Sequence, residues 1–312
     1  MRWPLARKGR EPGWLVIDLR PGELSFVHGQ YVPGAGAAID LCGVRALEGA
    51  YEGAPHAARE LEIDRYHCST LLAAGEYQLL LVDAPNVPQS ELKTAIRWRI
   101  KDMLDYHVDD ATVDVLAVPS NPAGGERARA MYAVVARNET IQACVARFDE
   151  AHIPLSVIDI PELAQRNVAA LFEQDDRGLA MLYLGQDHGL LTINYRHELM
   201  IARRIEVGVG ELAASGSQRV EHFQRVLLEL QRTLDHFDRQ YAYAPVAKLM
   251  LAPEPEETGL LEYLAGNLDL PVERVHLSGA IAFGARADLD AGEEWRLFHL
   301  IGAAFRHESK DL

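Results

Sequence analysis

Cysteine is scarce in this chain, and long apolar runs are missing. Cys42, Cys68 and Cys144 are the only three among 312 residues, widely spaced and without a CxxC pair. That pattern excludes a disulfide framework and a zinc ribbon, and it fits a reducing compartment. No window approaches the ~18 uninterrupted apolar residues of a membrane-spanning helix. Basic clusters are lacking too: 31 Lys and Arg stand against 46 Asp and Glu, a net charge of −15. This excludes the phosphate-tracking surface of a nucleic-acid binder but leaves a basic protein partner open. There is no GxxxxGK[ST] loop, no dinucleotide fingerprint and no HExxH, and Ser215 lacks the glycine context of a hydrolase elbow.

What is present is an ordinary soluble composition, 48% hydrophobic and 25% charged, in a chain long enough for two domains. The start is basic, with Arg2, Trp3, Arg7, Lys8 and Arg10. It reads as a solvated cationic tail, with contact to anionic lipid head groups as the competing reading. A short strand follows rather than a signal-peptide core. The expectation is a cytoplasmic protein whose membrane contact is peripheral.

Trp14–Asp18 and Leu24–His28, joined by a Pro21-Gly22 turn, read as a β-hairpin, with a third strand over Gly34–Cys42 and a helix over Ala54–Ile63. Strands are expected at Cys68–Ala74 and Tyr77–Val82, then a helix at 90–104 and strands at 111–118 and 128–136. A loop beginning at Asn121 separates the last two. Asn138–Ala151 spaces Ile141, Cys144, Val145 and Phe148 as one apolar helical stripe. Pro154–Ile160 is a strand, and Pro161 opens a helix running to Phe172. After the polar hinge 173–178, strands at Leu179–Leu184, Gly189–Tyr195 and Glu198–Glu206 loosely repeat the opening meander. A long amphipathic helix follows from Ser217 to Tyr241, with Val220, Phe223, Val226, Leu227, Leu230, Leu234 and Phe237 on one face. Then come a strand at Val246–Leu251, a helix at Gly259–Leu268, a strand at Val272–His276 and a closing helix at Glu293–Arg306.

Three stretches carry a resemblance. Met103–Asp114 ends a helix in Tyr106, Val108, Asp109 and Asp110; Ile153–Ile160 reads Ile-Pro-Leu-Ser-Val-Ile-Asp-Ile; the last helix holds Gly302, Ala303, Ala304 and Arg306. In this order, over about residues 14–306, the chain resembles the PilM family of actin-like type IV pilus assembly proteins, and within it the MshI branch of mannose-sensitive haemagglutinin (MSHA) pili. The resemblance implies an α/β, actin-like (ribonuclease-H-like) duplicated core with an inserted α+β subdomain. The expected division is 1–67 for the first half, 68–153 for the insert, 154–177 for the return to the core, 178–292 for the second half and 293–312 for a closing helix on the first half.

Such folds grip nucleotide phosphates with two hairpins, each carrying Asp-x-Gly. Here Asp18 remains, but Arg20 replaces the first glycine, Pro21 removes a donor, and Gly22 comes late. In the second hairpin Gly185 remains while Tyr183 takes the carboxylate's place. The adenosine loop, a Gly-Gly pair in the family, is Ala252–Thr258 with two prolines and three glutamates. Between Leu212 and Leu227 there is no room for a lid subdomain, which needs about 50 residues. No cofactor is therefore expected, with Mg-ATP affinity of about millimolar or weaker. Arg20 offers one counter-argument, since it could itself neutralise a phosphate.

Other clusters read as surface. In Asp235-His236-Phe237-Asp238 adjacent residues point about 100° apart on a helix, so the group cannot converge on one metal without outside help. Tyr66-His67-Cys68 and His107 beside Asp105 and Asp109 mark no cleft, and Arg203 reads as pinning a strand. The resemblance implies a non-catalytic adaptor that holds, in a groove between core and insert, the short cytoplasmic tail of a bitopic inner-membrane protein (PilN- or MshJ-like). The expected groove residues are Leu80, Ile96, Trp98, Ile100, Tyr106 and Leu163, with core packing as the competing reading for each. Two alternatives stay open: an actin-like ATPase with divergent loops, and the cytoplasmic domain of a type II secretion L-type protein. The latter would continue into a membrane span, whereas this sequence stops at Leu312.

Overall fold

A computed structural model describes residues 10–119, 130–174, 176–213 and 215–306. The basic residues before Arg10 and the loop expected from Asn121 lie outside the described residues. The first half begins with β1 (Trp14–Arg20), β2 (Glu23–Val32), β3 (Gly36–Ala46), α1 (Ala54–Glu60) and β4 (His67–Leu71). The next segment holds β5 (Tyr77–Asp83), α2 (Gln89–Ile100), β6 (Ala111–Ala117), β7 (Ala130–Arg137) and α3 (Asn138–Glu150). Then come β8 (Leu155–Asp159), α4 (Pro161–Ala169), β9 (Gly178–Leu184), β10 (Gly189–Tyr195), β11 (Glu198–Ile205) and α5 (Val209–Leu212). The chain closes with α6 (Ser217–Gln240), β12 (Val246–Leu251), α7 (Leu260–Ala265), β13 (Val272–Arg274), β14 (Ile281–Arg286) and α8 (Ala291–Ala304).

The duplication is visible in strand order. One sheet runs β14-β3-β2-β1-β4-β8, the other β11-β10-β9-β12-β13. Each is an antiparallel meander followed by two parallel strands. This is the actin-like, ribonuclease-H-like core, built twice. Parallel strands covered on both faces read as continuous apolar runs, and β12 (Val-Ala-Lys-Leu-Met-Leu) is nearly one. A third sheet, β5-β7-β6, stands apart.

Two expectations about the insert change. β4, assigned to it from the sequence, lies in the first core sheet, parallel to β1 and β8. α3 exposes Val145, buries Phe148 in the first-half core with Ile63 and Ile153 and packs Cys144 against the same cluster, so its stripe is narrower than expected. Only the β5–β7 segment forms the separate sheet. β14 was not expected at all; it pairs with β3 through an irregular register, a non-local contact that leaves little local pattern. α8 starts at Ala291 because Asp290 and Glu293 form a reciprocal capping box, with Glu293 N–H donating to Asp290 Oδ1 at 2.8 Å.

α8 packs closely on α4. At Gly302 a Cβ would sit 2.0 Å from the Ala164 carbonyl oxygen, and Asn167 Nδ2 donates to the Gly302 carbonyl at 3.0 Å. One residue before Arg166, Gln165 sends its amide into the second sheet, donating to the Met181 carbonyl at 2.8 Å and to Thr192 Oγ1 at 3.0 Å. Both halves therefore meet on this helix pair. Replacing Gly302 by alanine forces the helices apart and should cost about 1–3 kcal/mol. The expected result is a melting temperature lower by several degrees; an unchanged thermal transition would show that the contact gives way freely.

Candidate functional site

The cleft between the halves holds a cavity of about 560 Å³ whose walls include Asp18, Arg20, Glu162, Tyr183, Trp295 and His299. On the first hairpin, Pro21 and Gly22 (φ +78°) make a tight two-residue turn. The Arg20 guanidinium folds back onto Asp18, with Nε 2.7 Å from Oδ2. Arg296 of α8 pairs with Glu23 across the same turn. Burial pushes the Asp18 carboxyl upward, and Arg20 partly opposes the shift. The cation that could have met a phosphate thus serves the only carboxylate the hairpin kept.

The second hairpin is filled from α8. Tyr183 lies nearly parallel to Phe298 with ring centroids 5.4 Å apart, and His299 is 4.3 Å away. The Tyr183 hydroxyl donates to the Trp295 carbonyl at 3.3 Å, and Trp295 Nε1 donates to the Leu184 carbonyl at 2.6 Å. Burial pushes the Tyr183 phenol up to about 12. The amides opening α5 are spent internally: Val209 N–H on the Gly185 carbonyl at 2.9 Å, Gly210 N–H on that of Gln186 at 3.1 Å. Gly208 is required by this packing, because a Cβ there would stand 2.2 Å from the Gln186 oxygen.

The third loop differs from its expected character. Glu254 is buried and accepts from Thr258 Oγ1 at 2.6 Å and from Arg274 at 3.2 Å, so it is an internal pair rather than a free repelling charge. Glu256 and Glu257 are exposed. α5 ends at Leu212 and α6 starts at Ser217, so among the described residues no lid subdomain intervenes.

Four of the six expected groove residues come together, but in the packing between α2 and its sheet. Ile96 and Ile100 are fully buried between α2 and its sheet, with Val115, Met131, Ala133 and Val135. Leu80 and Tyr106 pack against that same cluster. Tyr106 also lies under the Arg137 guanidinium, 4.0 Å from its ring centroid. These four are core, because α2 covers the sheet face that even-numbered β5 residues share. Trp98 is 69% exposed on the helix's outer side, against Lys101, so it is neither core nor groove wall. Leu163 alone stands on α4, half-buried.

The junction that does exist uses the opposite face of β5. Leu79 packs against the second-half core, and the Tyr77 hydroxyl donates to Glu162 at the start of α4. Leu81, on the same face by alternation, is 45% exposed. Strand parity was legible in Tyr77–Asp83, but which parity faced inward depended on where α2 packed. Arg97 was missed as well: it donates to the carbonyls of Ala111 at 2.8 Å and Val108 at 2.7 Å, pinning the connection from α2 to β6.

The remaining clusters stay separate. Asp235, His236 and Asp238 are exposed on α6, and among the described residues no group of three His, Cys, Asp or Glu side chains could hold a metal. Cys68 is buried, its thiol pushed up to about 12, while His67 points outward. His107 caps the turn Val108–Asp110, accepting from Asp109 N–H at 3.3 Å. Arg203 is exposed; it takes its place in β11 opposite Leu191, and its side chain makes no hydrogen bond or ion pair among the described residues.

His299 is the group in this cleft whose titration bears most on stability. It is half-buried on the cavity wall, desolvation holds its pKa down to about 3, and its Nε2 meets Gln165 Oε1 at 3.2 Å. Its folded pKa lies below the ordinary 6.5, so its contribution is complete above pH 6.5 and is lost as pH falls toward the folded value. Urea titrations should show wild type losing roughly 1–2 kcal/mol more than His299→Gln between pH 6.5 and 5. Parallel pH profiles for the two proteins would show that His299 accepts a proton freely.

No family model matches the chain, and no curated protein matches it either. Solved structures do. The PilM–PilN type IV pilus biogenesis complex aligns with a TM-score of 0.68 at 16% identity, covering 94% of this chain and 97% of that one. The cytoplasmic domain of EpsL, an inner-membrane component of the type II secretion system of Vibrio cholerae, aligns at 0.46 and 12% identity, covering 92% and 94%. At these identities the likeness is one of fold, and the fold shared with the first structure is the actin-like one described above.

Proposed function

We propose that this protein is a non-catalytic adaptor of a type IV pilus assembly machine, working at the cytoplasmic face of the inner membrane. There it holds the cytoplasmic tail of a bitopic partner. One observation carries the reading: the positions that grip a triphosphate in such a fold are spent on internal contacts. Asp18 is bound by Arg20, Tyr183 is packed on Phe298, and the amides of α5 are donated to the neighbouring hairpin. The agreement of nearly the whole chain with the PilM–PilN structure supports the pilus setting. The sequence resemblance narrows this to an MSHA-type pilus.

Tail binding falls to the face of β5 that meets α4, where Leu163 follows Glu162 of the Tyr77–Glu162 pair and Leu81 lies exposed farther along the same strand face. An extended tail gives up conformational entropy on ordering, so a few anchored aliphatic residues must supply the affinity.

Two measurements test the proposal. Calorimetric titration with Mg-ATP should show binding of about millimolar or weaker; micromolar binding would return the ATPase reading. In pull-downs with the tail of the inner-membrane partner, Leu81→Asp should lose at least about tenfold in affinity, the order expected for burying a charge at an apolar anchor. Trp98→Ala should bind like wild type. Loss through Trp98 instead would move the site to the outer face of α2.

A further inference from the structure

The three sheets end in β14, β8, β11, β13, β5 and β6. Proteins protect such edges with charge, proline, bulges or brevity, because an open edge is a template for another strand. β11 carries Arg203 and Arg204, both exposed. β13 has three residues. β14 is irregular in register and ends in Arg286. β8 has five residues and is bracketed by Pro154 and Pro161. β6 carries Asp114, paired with Lys93 at 2.6 Å.

β5 has none of these. Its seven residues run Tyr-Gln-Leu-Leu-Leu-Val before Asp83, without interior charge, proline or a break in register with β7. Every residue of the strand is at least partly accessible, and Leu81 is 45% exposed. Among the described residues it is the one long, regular and unguarded edge in the molecule.

We propose that β5 accepts an extended segment of a partner protein as a fourth strand of the β5-β7-β6 sheet. This rests on the partner-tail reading and adds to it the mode of binding and the chemistry of the segment. Main-chain hydrogen bonds to the free edge set the register, and alternate apolar residues follow the two faces of β5. Leu79 and Leu81 meet one set; Gln78, Leu80 and Val82 meet the other. The ends of the strand fix the charge of the segment. Glu76 and Asp83 are exposed carboxylates with no ion pair among the described residues. A segment with a cation at each end of an aliphatic core complements them. A second copy does not fit: antiparallel β5 strands would set Asp83 beside the other copy's Glu76, between two bodies that each carry −15.

The test uses the full-length protein and a fluorescein-labelled peptide with arginine at each end of an alternating leucine–valine core. Two variants of the peptide are N-methylated on alternate residues in opposite phase. Strand addition leaves one phase bound as tightly as the parent and weakens the other about a hundredfold, through several lost hydrogen bonds. Amide exchange should slow across 77–83, and Leu81→Lys should abolish binding without changing the melting temperature. Glutamate in place of the flanking arginines should weaken binding about tenfold. Equal loss or equal retention in both phases overturns strand addition, as does no binding of the parent peptide, whereas the partner-tail pull-down separately decides the adaptor reading. Concentration-dependent dimerisation that Leu81→Lys abolishes would assign the edge to a second copy and also overturn the proposal.

Discussion

The approach of α8 to α4 at Gly302 is the contact on which the arrangement of the two halves depends. With no side chain at that position, two helices of different origin in the chain come close enough for Asn167 to bond the Gly302 carbonyl. Gln165, two residues earlier on the same helix, reaches into the second sheet. From this seat α8 can extend along the cleft and present Trp295, Phe298 and His299 to the second hairpin. A Tyr at 183 suits that environment: its ring is covered and its hydroxyl still finds an acceptor. An aspartate there would be desolvated beside aromatic rings, with the cation that reaches position 183, Arg20, already engaged by Asp18, a costly burial. Loss of the carboxylate and gain of the aromatic packing are therefore one change in the chemistry of the cleft.

The insert is attached by polar and apolar contacts together. Its sheet has an apolar core of its own with α2, and three phenols link it to the body: Tyr77 to Glu162, Tyr132 to the Met200 carbonyl at 3.2 Å, and Tyr243 to the Pro119 carbonyl at 2.9 Å. Val118 and Tyr132 are buried in the second-half core, and Leu79, Leu116 and Ala130 pack against it. The hydrogen bonds each contribute about 1 kcal/mol, and this shared apolar layer adds to them. The insert is thus bound firmly enough to be oriented while its outer strand is left uncovered.

Much of the fold was legible because it is written in local periodicity. The meander strands, the long α6 and β12 followed from alternation, helical spacing and apolar runs. The departures from the phosphate motif at Arg20, Pro21 and Tyr183 could also be read from the sequence, and the structure adds what Arg20 and Tyr183 contact. The groove was not. Ile96 and Ile100 looked like anchors because apolar residues on an amphipathic helix announce burial without naming the surface that buries them. β4 was assigned to the wrong sheet for a related reason: a short apolar strand fits any parallel sheet, and its neighbours β1 and β8 are distant in sequence. β14 gave no signal, as its pairing with β3 spans most of the chain.

The two candidate sites show opposite treatments of polar backbone. In the cleft, backbone groups at Gly185, Gln186, Val209 and Gly210 are bonded to one another, and Arg20 and Arg296 are paired with Asp18 and Glu23. Along β5 the reverse holds: among the described residues, alternate amides and carbonyls point away from β7 with no strand to receive them, and the flanking carboxylates have no ion pair. Exposed backbone groups lose little when water satisfies them, but an apolar edge beside them adds a hydrophobic gain to any strand that docks. An apolar strand edge whose backbone groups have no partner strand among the described residues is suited to binding an extended chain. Both features are set by side chains within a few residues of a hairpin or a strand end, so a few substitutions suffice to redirect the same scaffold.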